Sequence, residues 1–359
     1  MNKKINYHGL ECRLAEHENI LLISGKSLDK TNIKQKLNLS SPRFHRFSKF
    51  TENPSLNEII HAKNALKKTE ATAILAIGGG TAIDIAKLAK YYKDNDLSVT
   101  DVIPPNSPSI SGIPIYVIPT TFGSGSESTN FAVMYIQEKK FSVAHLDILP
   151  NFYLLDPELS RSLPLYTKAS ACLDALCQAI ESYWANSATL ESQQNALFTI
   201  THIAKYFESY IKSPTSKVDE IIAEASNRAG KAINVTKTTA PHALSYFISS
   251  EYNIKHGHAV AMCLKNIFAI NEEKYQDNKR GSLLLKDIYK ALSVSDAFSA
   301  KQLIIEFLGK AGLESQFHQI GLKGEKKIEM AVSSVNIERL KNHPVTLNKH
   351  DLKRIFLDG

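Results

Sequence analysis

Four short apolar runs, each ending in a turn and alternating with amphipathic segments, restrict what the first half of this chain can fold into. ILLISG (Ile20 to Gly25), ATAILAIGGG (Ala71 to Gly80), IPIYVIPTT (Ile113 to Thr121) and NFYLLDP (Asn151 to Pro157) read as strands. PSLNEIIHAKNALKKT, between the first pair, and TAIDIAKLAKYYK, after the glycines, read as helices. Strand, turn and helix in repetition is the pattern of a parallel sheet covered by helices. From about Leu163 onward, segments of helical period dominate, broken by turn signals at Ser213 to Lys217 and near Asn278 to Ser282. The expected fold is therefore α/β with a parallel sheet over residues 1–162, followed by an all-helical domain over 163–359.

A length of 359 residues supports two such cores. The formal charge of +7 is spread along the chain, which suits a solvated basic surface or a general attraction for anionic ligands. No basic stripe with interleaved aromatics marks a nucleic-acid surface. Cys12, Cys172, Cys177 and Cys263 lack metal or small-disulfide spacing and read as thiols in a reducing compartment. The N-terminus has no apolar core of a leader, and no stretch reaches the roughly 18 apolar residues of a membrane span. A cytoplasmic location is expected, without membrane or nucleic-acid partners.

Two turns invite a nucleotide. Gly78-Gly79-Gly80-Thr81 follows a strand and opens a helix, so bare amides can approach a pyrophosphate at the positive end of the helix dipole. The spacing is not GxGxxG, and a glycine run by itself is equally a tight turn. Asp84 and Lys87 in the following helix either brace the loop or face solvent. Pro119 to Glu127, PTTFGSGSE, is a second hydroxyl-rich turn that fits a ribose or nicotinamide, or a polar connection. Two such turns on one sheet edge favour a nucleotide more than either does separately.

The helical half offers metal ligands. Asp174 and Gln178 are four residues apart in ACLDALCQAIESYW and so share a helix face. His242 follows Pro241 in the first turn of a helix, and His256 lies in the loop NIKHGH ahead of an apolar run. Carboxylate and neutral imidazole suit Zn²⁺ or Fe²⁺, and three protein ligands leave an open position. Singly, each is more often a cap or a buried hydrogen-bond partner than a ligand.

GGGTAIDIAK, PTTFGSGSE, KKFSVAHLDILPNFYLLDPELSRSLP, LDALCQAIESYW and PHALSYFISSEYNIKHGHAVAM, in that order, resemble the iron-containing alcohol dehydrogenase family of the dehydroquinate synthase-like superfamily. The resemblance covers nearly the whole chain. It implies an NAD(P)-binding domain, a helical domain binding a divalent metal, and reversible hydride transfer between an alcohol and an aldehyde or ketone. By that resemblance, Gly79, Gly80 and Thr81 would contact the pyrophosphate, Thr120 and Thr121 would lie by the nicotinamide, and Lys140 would reach the cofactor. Asp174, His242 and His256 match three metal ligands. The fourth family ligand, a histidine, aligns with Gln178, and a histidine near the proton path aligns with Tyr246. Relatives form homodimers or larger homo-oligomers.

NAD-preferring members often carry an acid after the first strand, where it bonds the ribose diol. Here Gly25 and Lys26 stand there, which favours NADPH over NADH by charge. The other reading of Gly25 is a convenient turn glycine. NVTKTTAPHALSYFISSEYNIKHGHAVAM is similar to the branch containing phosphonoacetaldehyde reductase, also called hydroxyethylphosphonate dehydrogenase. Lys237, Thr238, Thr239 and Lys255 would then meet a small anionic aldehyde. The proton would come from His258, Tyr246 or a water relay through the cofactor ribose. Alternatives are a dehydrogenase for another small alcohol or sugar-derived aldehyde, and a cyclising lyase of the dehydroquinate synthase type.

Overall fold

The computed structural model describes residues 2–94, 112–137, 139–335 and 340–357. The chain divides into two compact units, one of Met1–Thr121 with Gly125–Leu159 and one of Phe122–Ser124 with Ser160–Gly359.

In the first unit, β1 (Lys3–Lys4), β2 (Ile20–Ile23), β3 (Phe44–Phe47), β4 (Ala73–Gly78) and β5 (Ile115–Pro119) join a short strand, Phe152–Tyr153, in one sheet. Its order is β1, Phe152–Tyr153, β5, β4, β2, β3, and every pairing is parallel. Both faces are covered, which explains why β2, β4 and β5 are apolar throughout rather than alternating. Leu21, Ile23, Ile74, Ala76, Ile115 and Val117 enter one core cluster, while Ile20, Leu22, Ala73, Leu75, Tyr116 and Ile118 enter the other. Helices α1 (Tyr7–Leu14), α2 (Ile33–Lys36), α3 (Leu56–Lys68) and α4 (Gly80–Tyr91) complete the layers. The α3 helix begins at a reciprocal cap in which Ser55 and Glu58 satisfy each other's backbone amides.

Three features depart from the sequence reading. The run Asn151 to Pro157 forms only the two-residue strand and then turns. Ile20 to Gly25 is extended only to Ile23 before a 3-10 turn, Lys26–Lys30. An antiparallel hairpin, Phe131–Ile136 with Lys139–Ala144, was not expected, because its second strand, KKFSVA, is too polar to read as an apolar run.

The side chains of α4 explain how the second turn is held. Lys87 is fully buried and donates to Ser126 Oγ at 2.9 Å, Thr129 Oγ1 at 3.0 Å and the Phe131 carbonyl at 2.9 Å. Asp84 accepts from Ser126 Oγ at 2.6 Å and from the Val133 amide at 3.1 Å. Burial pushes the Asp84 carboxyl upward, opposed chiefly by the Lys87 charge. Both residues therefore brace the second turn, not the glycine loop for which the sequence offered them that role.

The second unit is all helical: α5 (Leu165–Trp184), α6 (Leu190–Lys212), α7 (Ser216–Thr236), α8 (Ala240–Glu251), α9 (His256–Lys274), α10 (Lys279–Leu292), α11 (Ala297–Lys310), α12 (Glu325–Ser333) and a last helix, Lys349–Phe356. The α5 helix runs through its centre, with α6, α7, α9 and α10 packed around it. Its residues from Cys172 to Trp184 are buried on every side, so any polar group they carry must find a partner inside. Among the described residues, no helix is long and apolar enough to cross a membrane.

Replacing Lys87 with Met strands Asp84 and several oxygens in the interior. Urea unfolding is expected to show a loss of about 3–5 kcal/mol; a loss within experimental error would contradict the bracing role.

Candidate metal centre

Three helices bring the ligand candidates together. Asp174 projects from the middle of α5, His242 from the first turn of α8 behind Pro241, and His256 from the start of α9. One ligand atom from each lies within 4.8 Å of the others. His242 Nε2 is 3.2 Å from Asp174 Oδ1, and the His242 and His256 rings stand 5.1 Å apart at 72°. His256 is not in a loop, as its setting in NIKHGH suggested, but is the first residue of α9, with Lys255 as the cap.

The approach of α9 to α5 depends on Gly257. A Cβ there would meet the Ser170 carbonyl oxygen at 2.0 Å and the Asp174 Cβ at 2.7 Å. Only glycine lets the first turn of α9 sit against α5 at the level of Asp174. The His258 amide then donates to Ser170 Oγ at 3.1 Å and pins the contact.

Glu181, two turns beyond Asp174, is the functional residue that sequence reading missed. Its fully buried carboxylate accepts from the Thr239 amide at 2.8 Å, Thr239 Oγ1 at 3.0 Å, the His242 amide at 3.3 Å and His242 Nδ1. Trp184 Nε1 in turn donates to Thr239 Oγ1 at 3.1 Å. Holding Nδ1 turns Nε2 toward Asp174, so that it is the ring nitrogen a metal would take in exchange for its proton. Burial disfavours the charged form of His242, but Glu181 and Asp174 outweigh it and raise the imidazole to about 10. An acid one turn past Gln178 on the same helix face was the available signal.

Gln178 gives the test of fit. Its Oε1 is buried and has no hydrogen-bond partner among the described residues, one turn along α5 from Asp174. A buried amide oxygen without a partner costs free energy unless a cation or water meets it. With one carboxylate and two imidazoles it completes a donor set suited to a divalent ion. Cys177 and Cys263 are also buried nearby in sequence, but desolvation pushes both thiols upward and keeps them protonated.

The remaining candidates are placed as follows. The Tyr246 ring lies parallel to His256, 5.5 Å away. His258 is fully buried, with Nε2 at 2.7 Å from the Glu314 carbonyl and Nδ1 at 3.3 Å from the Tyr166 hydroxyl; burial lowers its pKa. Lys237 is exposed at the end of α7 with φ of 62°, while Thr238 is buried and its carbonyl accepts from Asn342 at 3.2 Å. Thr239 serves Glu181 rather than standing free for a substrate. The Lys255 amide donates to Tyr166 at 2.9 Å, and its ammonium is 5.8 Å from that ring.

In the α/β unit, the strand-to-helix turn is tight. A Cβ on Gly78 would meet Ala82 Cβ at 2.7 Å, and one on Gly79 would meet Thr121 Oγ1 at 3.1 Å. Gly79 caps α4 and Gly80 opens it, while Thr120 donates its amide to the Gly78 carbonyl at 3.0 Å and joins the two turns. The Thr81 hydroxyl donates to the Glu52 carbonyl, so only its backbone is left to serve a phosphate. Asp84, which follows the glycine turn closely enough in sequence to be a cofactor contact, has its carboxylate on Ser126 and Val133 instead. Lys140 sits on the hairpin opposite Tyr135, where its charge acts on Asp84. Gly25 has an ordinary φ of −72°, and a Cβ there would find its nearest neighbour, the Phe50 ring, at 3.8 Å. Neither backbone nor packing demands glycine at that position.

Comparison with known proteins gives the family. Residues 2–157 match the family model "Iron-containing alcohol dehydrogenase", and residues 168–358 match "Fe-containing alcohol dehydrogenase family, C-terminal". The chain belongs to the iron-containing alcohol dehydrogenase family. It is an oxidoreductase of that family, with a nucleotide cofactor and a divalent metal. It is 30% identical over 271 residues to 4-hydroxybutyrate dehydrogenase of Clostridium kluyveri, covering 73% of this chain and 71% of that one. It is 29% identical over 216 residues to phosphonoacetaldehyde reductase of Streptomyces viridochromogenes, covering 57% and 55%. Its fold resembles sulfoacetaldehyde reductase from Bifidobacterium kashiwanohense, solved with NAD⁺, with a TM-score of 0.88 at 23% identity over 99% of this chain and 96% of that one.

Replacing Glu181 with Gln removes the charge that orients His242. Chelator competition is expected to show metal affinity reduced roughly 10- to 100-fold with helical content retained; unchanged affinity would remove Glu181 from the site.

Proposed function

We propose that the chain is an NADPH-dependent, metal-containing reductase of small anionic aldehydes, with phosphonoacetaldehyde to 2-hydroxyethylphosphonate as the leading pair. The observation that carries the reading is the convergence of Asp174, His242 and His256, with the orphaned oxygen of Gln178 one turn away. Three relatives bear names for 4-hydroxybutyrate, phosphonoacetaldehyde and sulfoacetaldehyde, each a short chain with an anionic end. The net charge of +7 suits such substrates and a phosphorylated cofactor. In this reading residues 1–162 bind the nucleotide and residues 163–359 bind metal and substrate.

When bound, the metal supplies Lewis acidity at the carbonyl oxygen and the reduced nicotinamide supplies hydride. Asp174, His242, His256 and Gln178 hold the ion, either Fe²⁺ or Zn²⁺, and Glu181 keeps His242 in register. The amides of Gly79, Gly80 and Thr81 bind the pyrophosphate at the head of α4, while Thr120 and Thr121 serve the nicotinamide half, with Lys140 nearby. Tyr246, parallel to His256, is the proposed proton donor. His258 has both ring nitrogens engaged and is better suited to fixing the start of α9. Lys255, next to His256, and Thr238 with Lys237 are the proposed partners of the anionic group.

A panel of phosphonoacetaldehyde, succinic semialdehyde, sulfoacetaldehyde, aliphatic aldehydes and sugar-derived aldehydes, each with NADPH and added Fe²⁺ or Zn²⁺, tests the assignment. Anionic aldehydes are expected to give the highest kcat/KM. Best turnover of neutral aldehydes would overturn the substrate class, and no net NADPH consumption would favour a cyclising lyase. His256→Ala is expected to lose stoichiometric metal and turnover together; activity persisting in the metal-free variant would rule out the metal role. Because Gly25 has room for a side chain, Gly25→Asp should fold and shift the NADPH to NADH preference by roughly tenfold or more toward NADH through like-charge repulsion.

A further inference from the structure

The absence of a side chain at Gly25 directs attention to what occupies that end of the sheet. The register pairs Ile23 with Ala76 on one side and with Phe47 on the other, so the chain beyond β2 emerges beside Gly78 and beside the end of β3. The turn after β5 contains the hydroxyl cluster proposed for the nicotinamide half. A dinucleotide with its pyrophosphate at Gly79 and Gly80 must then extend its adenosine half the other way, over the carboxyl ends of β2 and β3.

Arg46 stands at that edge. From the penultimate position of β3 its guanidinium reaches across to the segment after β2, donating from Nη2 to the Gly25 carbonyl at 2.7 Å. Asp29, in the 3-10 turn that follows, takes Nη1 at 2.7 Å and Nη2 at 3.1 Å. Asp29 also pairs with Lys34, and Arg46 followed by Lys34 holds its carboxyl well below the usual carboxylate range. The acid is therefore committed to two cations instead of being offered to a ribose diol. Lys26 and Lys49 add exposed positive charge on the same two segments. With Arg46, Lys34, Lys26, Lys30 and Lys49 against Asp29 and Glu52, the edge is cationic.

We propose that Arg46, fixed by Asp29 and the Gly25 carbonyl beside the carboxyl end of β2, is a specificity residue that receives the 2′-phosphate of NADP(H). The proposal rests on the reading that the two turns bind a dinucleotide with NADPH preferred. A planar guanidinium gripped along one edge keeps its remaining N–H groups aimed, which lowers the ordering cost of meeting a phosphate. Gly25 and Lys26 suggest the preference from sequence, but Arg46 enters only through the strand register.

Binding of NADPH, NADH, adenosine 2′,5′-bisphosphate and 5′-AMP to the full-length metal-loaded enzyme separates the two levels. Wild-type protein is expected to bind NADPH and the bisphosphate at least tenfold more tightly than NADH and 5′-AMP; the reverse order overturns the NADPH reading itself, whatever Arg46 does. Given that order, Arg46→Gln is expected to weaken both 2′-phosphorylated ligands roughly 10- to 100-fold and leave NADH and 5′-AMP within about twofold. Equal losses for all four ligands, or none, overturn the role of Arg46. Asp29→Asn controls for loss of the local fold, since it breaks the clamp but keeps the cation. It is expected to retain 2′-phosphate selectivity, and a loss equal to that of Arg46→Gln would mean that the clamp, not the cation, matters.

Discussion

The candidate metal site depends on the contact between the start of α9 and the middle of α5, which has room for a hydrogen atom and nothing larger at Gly257. That approach sets His256 against Asp174, and it fixes the depth at which α5 must carry its polar groups. Asp174, Gln178 and Glu181 consequently lie in an environment where each polar atom needs a partner. Glu181 meets the requirement with donors from Thr239 and His242. Asp174 meets it through His242 and the shared site, while Gln178 leaves an oxygen that a cation would satisfy. The tightness of the helix contact and the chemistry of the site are thus one constraint, because a looser contact would admit water to all three groups.

The α/β unit solves a related problem with a different device. Its sheet edge must keep two turns in mutual register, so side chains that point toward the turns are used to brace them. Lys87 spends its donors on Ser126, Thr129 and Phe131, and Asp84 accepts from the same segment. A cation and an anion one turn apart on α4 hold the second loop from below, and neither is spent on the ligand. Asp84 and Lys87, just past the glycine turn in sequence, are thus structural in place. The polar surface of a binding turn needs its own support, and the nearest helix provides it.

Much of this was legible in the sequence, for physical reasons that differ by element. The buried strands β2, β4 and β5 were readable because covering both faces demands unbroken apolar runs, and α5 because its apolar residues recur at helical period. The short strand at Phe152–Tyr153 was overread, since LLDP continues the apolar run after the pairing ends. The hairpin at residues 131–144 was missed because a strand with one wet face, such as KKFSVA, carries little apolar signal. Asp174, His242 and His256 were picked out by residue type and motif. Glu181 was not, because a carboxylate that faces a ligand and one that faces solvent look alike until helix packing shows which side is buried.

Glycines show the limit most clearly, since one letter stands for several physical causes. At Gly257 and Gly78 a Cβ would collide with atoms 2.0 Å and 2.7 Å away, so packing within the chain accounts for the residue. At Gly25 the backbone is extended, φ is negative and the nearest atom would lie at ordinary contact distance. A Cβ would fit there without strain, so packing within the chain does not account for the residue, and the proposed ligand offers a reason for it. The surrounding groups indicate its charge. Arg46 donates to the Gly25 carbonyl, and the acid it meets there, Asp29, is paired with both Arg46 and Lys34. A guanidinium that the fold holds in place, beside a glycine that packing does not demand, is what the proposed 2′-phosphate subsite rests on.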